Sequence, residues 1–543
     1  MDVEKNILRG PESMVKLSPN LSMGQFMFDR LSGFGDRVAS INAETKEQIT
    51  YQEILEQSVQ LAVYLSNEGL KKDDRIAICS ENCLNFMIPI CSAMYLGVAS
   101  CPLNPNYSKR EFVHALNISK PKIVFVSASS ANKLRNIIKD LPWPLSLISI
   151  GETFSGVPRM KDLIKKNPLP DLATFKACEV DVPQHVLAIL CSSGTTGLPK
   201  GVMLTDENFI TITCQMIETI MTVPSGSFAD DVLTLKFLPF FHAYAFVSLV
   251  TQVALGVTSV ILSRFDPEKF LSTIQEYKIE QLMLVPPLMV FLAKSPLVDR
   301  YDLSSIKQIW CGAAPLSENI RHAVSQRLNK PVIKQGYGLT ETTLGVLKSP
   351  HTGDKPGSVG QLNPDTFGKV ISVDENASNE PLGPYQEGEL CFKGPLIMKG
   401  YCGDEKATSA AIDKDGWLHT GDIGYYDSDG YFYIVDRIKE LIKYKGFQVP
   451  PAELEGIMLT HPDIVDCAVI GIPDEACGEL PLGFVVKKPQ SKLTTAEVVK
   501  FVNDQVSHQK WLRGGVRFID AIPKTASGKI LRRLLRDKLK SKL

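Results

Sequence analysis

The chain has 543 residues, 44% hydrophobic and 22% charged, with 59 basic and 60 acidic side chains for a formal net charge of -1. That length outgrows one hydrophobic core, so at least two domains are expected. The near-balance of charge gives no electrostatic case for nucleic acid or an anionic membrane as partner.

The first residues, Met1-Asp2-Val3-Glu4-Lys5, are polar and mixed in charge with no apolar run behind them, unlike a secretory signal. Further along, Lys122 to Ser127 (KIVFVS) and Val186 to Cys191 (VLAILC) are continuous apolar runs, predicted to be buried strands. The longest apolar stretch, Phe246 to Leu262, is broken by Ser248, Thr251, Gln252, Gly256 and Thr258. A membrane span needs about 20 predominantly apolar residues, so this stretch is expected to be a buried helix and strand, with no membrane span.

Between Ile306 and Gln335 the alternation of elements is clearest. A strand (IKQIW) leads into Gly312-Ala313-Ala314-Pro315. Ser317 then caps a helix burying Ile320, Ala323, Val324 and Leu328, and a second strand (PVIKQ) empties into Gly336-Tyr337-Gly338. Strand–helix–strand alternation predicts an α/β domain with a largely parallel sheet and a ligand site at the carboxyl ends of its strands.

The last hundred residues read as a small α+β unit. A lysine-rich hairpin spans Leu441 to Val449, a helix opens at Pro450-Pro451, and the strands DCAVIGI and GFVVKK follow. A helix with a capping box, Thr494 and Glu497, precedes the strand VRFIDAI. The expected division is a large domain over 1–436, a hinge at 437–440 and a small mobile domain over 441–543. The polar, basic run Arg532 to Lys540 is expected to keep the terminal Ser541-Lys542-Leu543 exposed. Twelve cysteines between Cys79 and Cys477 include no Cys-x-x-Cys pair, and the eight histidines show no ligand spacing. Buried thiols in a reducing compartment are expected, rather than disulfides or zinc.

The segment Ser192-Ser193-Gly194-Thr195-Thr196-Gly197-Leu198-Pro199-Lys200-Gly201 follows a predicted strand and offers four hydroxyls, flexible glycines and one lysine. Such a loop can wrap a polyphosphate with hydroxyl and backbone donors while the ammonium neutralises charge. It is not a Walker A loop, since Pro199 precedes Lys200 and Gly201 follows it. Taken alone, it reads equally well as a surface linker.

Its companions extend the pattern: Gln335-Gly336-Tyr337-Gly338-Leu339-Thr340-Glu341, Gly388-Glu389-Leu390, Trp417-Leu418-His419-Thr420-Gly421-Asp422, Asp436-Arg437-Ile438-Lys439-Glu440, Lys443-Tyr444-Lys445-Gly446 and Pro523-Lys524-Thr525-Ala526-Ser527-Gly528-Lys529. With these in order from about Phe26 to the C-terminus, the chain resembles the acyl-adenylate-forming superfamily of acyl-CoA synthetases, 4-coumarate–CoA ligases and beetle luciferases.

The resemblance implies ATP, Mg²⁺ and coenzyme A as cofactors or co-substrates. It places the β- and γ-phosphates of ATP on the Thr195–Lys200 loop, with Ser192, Ser193 and Gly194 also in the nucleotide site, and adenine between Tyr337 and Gly312, Ala313 and Ala314, with Gln335, Gly336 and Gly338 beside it. Thr340 would bond the α-phosphate and Glu341 would hold Mg²⁺, a hard cation suited to carboxylate and phosphate oxygens. Asp422, with Arg437, would hold the ribose. Lys529 would bridge the acyl carboxylate and the α-phosphate, stabilising two anions brought together. After adenylation the small domain would rotate about Lys439, withdraw Lys529 and present Lys443 and Gln448 for coenzyme A, so that one pocket runs two reactions. Without the family pattern Asp422 is a turn aspartate, Lys529 an exposed lysine in a basic tail, and Lys443 part of a solvated strand.

His242 and Tyr244, in Pro239-Phe240-Phe241-His242-Ala243-Tyr244, occupy the family's aromatic gate over the acyl site. A carboxylate substrate needs no deprotonation at pH 7, so His242 is expected to position rather than to act as a base. Beetle luciferases carry an arginine where this chain has Ile212 and a small hydroxyl residue where it has Leu344, and both changes favour an alkyl chain over a polar heteroaromatic acid. The expected activity is therefore a medium- or long-chain fatty acyl-CoA synthetase. A luciferase and a catalytically dead nucleotide-binding protein are the alternatives. Ser541-Lys542-Leu543 matches a receptor-read peroxisomal address, which predicts a peroxisomal import receptor as partner and the peroxisome as location.

Overall fold

In the computed structural model, which describes residues 6–154, 156–192, 199–222, 232–350, 353–374, 380–445, 447–525 and 528–540, the apolar runs form parallel strands and the amphipathic stretches cover them. One sheet runs in parallel through Val332–Tyr337, Gln308–Cys311, Gln281–Leu284, Thr234–Lys236, Ser259–Ile261 and Val38–Asn42. Leu347–Lys348, Gln361–Leu362 and Gln48–Thr50 extend its edges antiparallel. A second sheet carries Ser146–Ser149, Ile123–Val126, Arg75–Cys79, Ala99–Pro102 and Val186–Ser192 in parallel. Lys200–Thr205 folds back antiparallel on its last strand.

Most of the helix Met87–Leu96 is buried, with apolar residues on every side, as a helix enclosed within a core must be. The helix Asp206–Met221 starts at Thr205, whose side chain accepts from Asn208 N in a capping box. The run from Phe246 forms the helix Ala243–Ala254 and the strand Ser259–Ile261. No described helix is long and apolar enough to cross a membrane. All twelve cysteines are free thiols, and none is fully exposed. Ser317 caps the helix Glu318–Arg327 as the sequence requires.

A third, antiparallel sheet, ending in Gly388–Lys393, Leu418–Tyr426 and Phe432–Arg437, leads toward the small unit. That unit is built on the long antiparallel pair Ile464–Asp474 and Gly478–Lys487, flanked by the hairpin Ile442–Tyr444 and Phe447–Val449. Of the last predicted strand, Val516–Phe518 joins the sheet, together with Gly515 before it.

The run from Arg532 is more than a charged tail. It is a helix, Arg532–Lys540, with Leu535 buried against Ala468, Ile470, Leu482, Phe484 and Ile522. Arg532 is only 9% exposed, and its guanidinium reaches Val469 O, Glu440 and Glu455 at 2.7 to 3.0 Å. The reason is amphipathicity: the charges that suggest a solvated tail occupy one face, while Leu535 and the paired Arg532 occupy the other.

Candidate active site

The parallel strands deliver their loops to one end, where a cavity of about 720 Å³ opens. Gly312 and Ala313 line it from the end of Gln308–Cys311, and Gly336, Tyr337 and Gly338 from the end of Val332–Tyr337. Gly338 is required there, since a Cβ would stand 2.2 Å from the carbonyl oxygen of Leu344. Thr340 and Glu341 lie on the short 3₁₀ turn that follows. Lys200 comes from the second sheet, Asp422 and Arg437 from the third, and Lys529 from the small unit.

Asp422 is 4% exposed, and its Oδ2 accepts from the Tyr337 hydroxyl at 2.6 Å. Arg437 Nε stands 3.2 Å from Oδ1, near enough for charge attraction, yet Oδ1 accepts no well-directed hydrogen bond among the described residues. Burial raises the pKa of Asp422, while Arg437 and the Tyr337 hydroxyl oppose the rise. A buried carboxylate oxygen with a free lone pair calls for a donor, and the hydroxyls of a ribose supply one.

Glu341 accepts from the Tyr401 hydroxyl at 2.9 Å, and the Lys200 ammonium lies 4.4 Å from the centre of the Tyr401 ring. Tyr401 thus ties the acid on one loop to the lysine on another. Burial pushes the Lys529 ammonium down to about 8, with Arg437 adding to the fall and Glu440, Asp422 and Glu341 opposing it. Lys529 therefore lies in the field of the cavity's acids instead of in a solvated tail.

His242 caps the helix Ala243–Ala254 from its N-terminus, with its ring 4.5 Å from that of Phe241. Burial drives its pKa down to about 4, and Nε2 has no partner among the described residues. A neutral imidazole with an unengaged nitrogen can position a ligand but is a weak base at pH 7. The Tyr244 hydroxyl donates to Trp310 O at 3.4 Å. Ile212 and Leu344 line the same cavity.

Ser192 and Lys439 also lie on the cavity wall. Ala314 and Gln335 do not: the Gln335 side chain donates to Ser358 O at 3.4 Å, because strand alternation turns it away from the face that Gly336 presents. Ser193, Gly194, Thr195, Thr196 and Gly197 lie outside the described residues, as do Ser541, Lys542 and Leu543. Lys443 and Gln448 pair with one another across the exposed hairpin, and neither reaches the cavity.

Tyr401 and Glu389 were not singled out from sequence. Glu389 accepts from Gly421 N and lies 2.9 Å from His419 Nδ1, bracing the start of the strand that carries Asp422. The signal for Glu389 was its place in Gly388-Glu389-Leu390, whereas Tyr401 had none. Glu389, Cys391 and His419 bring their ligand atoms within 4.8 Å of one another, but the first and last already engage each other.

Residues 27–402 match the family model of AMP-binding enzymes, and residues 453–529 match that of the AMP-binding enzyme C-terminal domain. The chain is 43% identical to luciferin 4-monooxygenase of Photuris pensylvanica over 99% of its own length and 100% of that protein's. It is 38% identical to 4-coumarate–CoA ligase 1 of Solanum tuberosum over 98% and 96% of the two chains. The fold superposes on ATP-bound MatB from Rhodopseudomonas palustris with a TM-score of 0.84 at 26% identity, covering 96% and 99% of the chains. Two domain matches in order, around a cavity that gathers the motif residues, make this chain a member of the AMP-binding, adenylate-forming enzymes, in the branch that contains the beetle luciferases.

Proposed function

We propose that this enzyme activates a medium- or long-chain fatty acid with ATP and passes the acyl group to coenzyme A. The observation that carries the reading is the pair Ile212 and Leu344 on the cavity wall. They set apolar surface where the luciferase pattern has an arginine and a hydroxyl. The similarity to a 4-coumarate–CoA ligase and to ATP-bound MatB supports thioester chemistry and ATP as the nucleotide.

In the first half-reaction a carboxylate oxygen attacks the α-phosphorus, the bond to the β-phosphate bridge breaks, and pyrophosphate leaves. Lys529 and Thr340 stabilise the crowded phosphoryl oxygens, and Lys200 draws charge toward the departing pyrophosphate. Glu341 is the cavity acid suited to Mg²⁺, which would neutralise phosphate charge when bound. Asp422 holds the ribose hydroxyls through its free Oδ1. In the second half-reaction the coenzyme A sulfur attacks the acyl carbonyl, its proton passes to solvent, and AMP leaves. Lys443 and Gln448 serve that step after the small unit turns about Lys439.

The 43% identity to a luciferin 4-monooxygenase favours a second reading, luciferin adenylation and oxidation with light. The two readings part on one comparison, thioester formation from fatty acids against light from luciferin. Polar luciferin atoms buried without partners against Ile212 and Leu344 cost roughly 1–3 kcal/mol each. The unmodified enzyme should therefore make thioesters and emit little light, while Leu344→Ser raises light and lowers alkyl-acid turnover. Bright emission from the unmodified enzyme, at a turnover above that for any fatty acid, overturns the assignment.

A further inference from the structure

The cavity continues away from the nucleotide along the strands of the parallel sheet. Strand register sets Lys236 beside Met283 and Met283 beside Trp310, with Thr234, Gln281 and Gln308 forming the next row toward the strand starts. All six line the cavity. At about 3.3 Å per residue, the Lys236 row lies roughly 7 Å and the Gln308 row roughly 13 Å back from the Gly312 level.

Lys236 is the anomaly in this wall. It is 5% exposed, and among the described residues its ammonium's one polar contact is Met283 Sδ at 3.9 Å. Among the described residues no carboxylate pairs with it. Buried lysines without a counter-ion are rare because desolvating the charge is costly. Burial alone brings its pKa down to about 7, so it is readily charged by an arriving anion.

Its surroundings are polar but neutral. Thr234 Oγ1 is 3.3 Å from Gln252 Oε1, Gln252 Nε2 is 3.7 Å from Met283 Sδ, and Trp310 Nε1 donates to Gln308 Oε1 at 3.1 Å. The acids on the cavity wall are Glu341, Glu389 and Asp422, all at the nucleotide end. Among the described residues that line it, the far end thus carries one lysine and no carboxylate.

We infer that this far end receives a second anionic group on the substrate, held by Lys236, so that the acid activated is an α,ω-dicarboxylic acid of medium length. One carboxylate faces the nucleotide and Lys529. The other supplies the counter-ion that Lys236 lacks among the described residues. A terminal methyl group would instead face a buried amine with nothing to offer it. This inference rests on the reading of the site as an aliphatic-acid activator.

The test compares kcat/KM for thioester formation from decanedioic acid, its monomethyl ester and decanoic acid, in the unmodified enzyme and in Lys236→Met and Lys236→Arg. The unmodified enzyme should favour the diacid over its ester by about tenfold or more, the worth of one charge-assisted hydrogen bond. Lys236→Met should abolish that preference and Lys236→Arg should keep most of it. Equal use of diacid and ester by the unmodified enzyme, or a ratio unchanged in Lys236→Met, overturns the inference while leaving fatty-acid activation standing. Failure of all three acids overturns both.

Discussion

Gly528 packs so tightly on Pro287 that a Cβ built on it would lie 2.7 Å from the proline Cγ, and its φ of +83° is in the left-handed region. Pro287 lies on the helix Pro286–Lys294 of the large unit, one strand end from the cavity. That contact sets Lys529, the next residue, into the site. Gly528→Ala adds left-handed strain of about 1–2 kcal/mol and a clash with a rigid ring. It should lower acid-dependent pyrophosphate exchange about tenfold or more, while thioester formation from supplied acyl-adenylate stays near normal. Equal loss in both assays would show that the contact serves folding alone.

With burial pushing the Lys529 ammonium down to about 8, the role proposed for it predicts that adenylation is sensitive to alkali. Burial is the main cause and Arg437 the second. The side chain is charged below this value and neutral above it, so the cation needed between two anions disappears as pH rises through about 8. For the free enzyme, kcat/KM for pyrophosphate release should fall above that pH, with the limb missing from the thioester half-reaction. A flat adenylation profile to pH 10 would contradict the role given to Lys529.

A buried pair far from the chemistry makes stability depend on pH. His185 Nδ1 lies 2.6 Å from Asp206 Oδ2 and Nε2 lies 2.9 Å from Gly97 O, two acceptors that together select the doubly protonated ring. Burial opposes the charge, but the Asp206 hydrogen bond and charge, helped by Gly97, raise the His185 pKa. A raised histidine contributes stability that is full below its unfolded value, near 6.5, and lost as pH climbs through the folded value. Asp206→Asn can keep the bond that Asp206 Oδ1 accepts from Met23 N but removes the charge. Denaturant unfolding should show it about 3 kcal/mol less stable at pH 6, with the gap narrowing toward pH 9. A gap that widens with pH would reverse the assignment of the proton.

Much of this was legible before any coordinates. Continuous apolar runs such as VLAILC read as buried strands, and the Gly-rich turns after IKQIW and PVIKQ read as strand ends, as the structure has them. Glu341, Asp422 and Lys529 were legible through motif company alone, because each is an ordinary residue on its own. What escaped depends on long-range placement. Lys236 sits in a strand-like run whose spacing says nothing of whether a carboxylate faces it. Tyr401 meets Glu341 across 60 residues of sequence. Arg532 looked like tail charge because Glu440 and Glu455 lie far from it in sequence and meet it only once the small unit has folded.

In the proposed mechanism one cavity runs two reactions by exchanging Lys529 for Lys443. Lys529 lines the cavity, whereas Lys443 stands on an exposed hairpin with its backbone N–H on Glu479. The direct measurement assays acid-dependent pyrophosphate exchange and thioester formation from supplied acyl-adenylate separately, in Lys529→Ala and Lys443→Ala. Lys529→Ala should cut exchange by about a hundredfold or more, in line with loss of a donor to developing charge, and leave thioester formation largely intact. Lys443→Ala should do the opposite. If both substitutions depress the same half-reaction to the same degree, the two lysines do not divide the chemistry and the account is wrong.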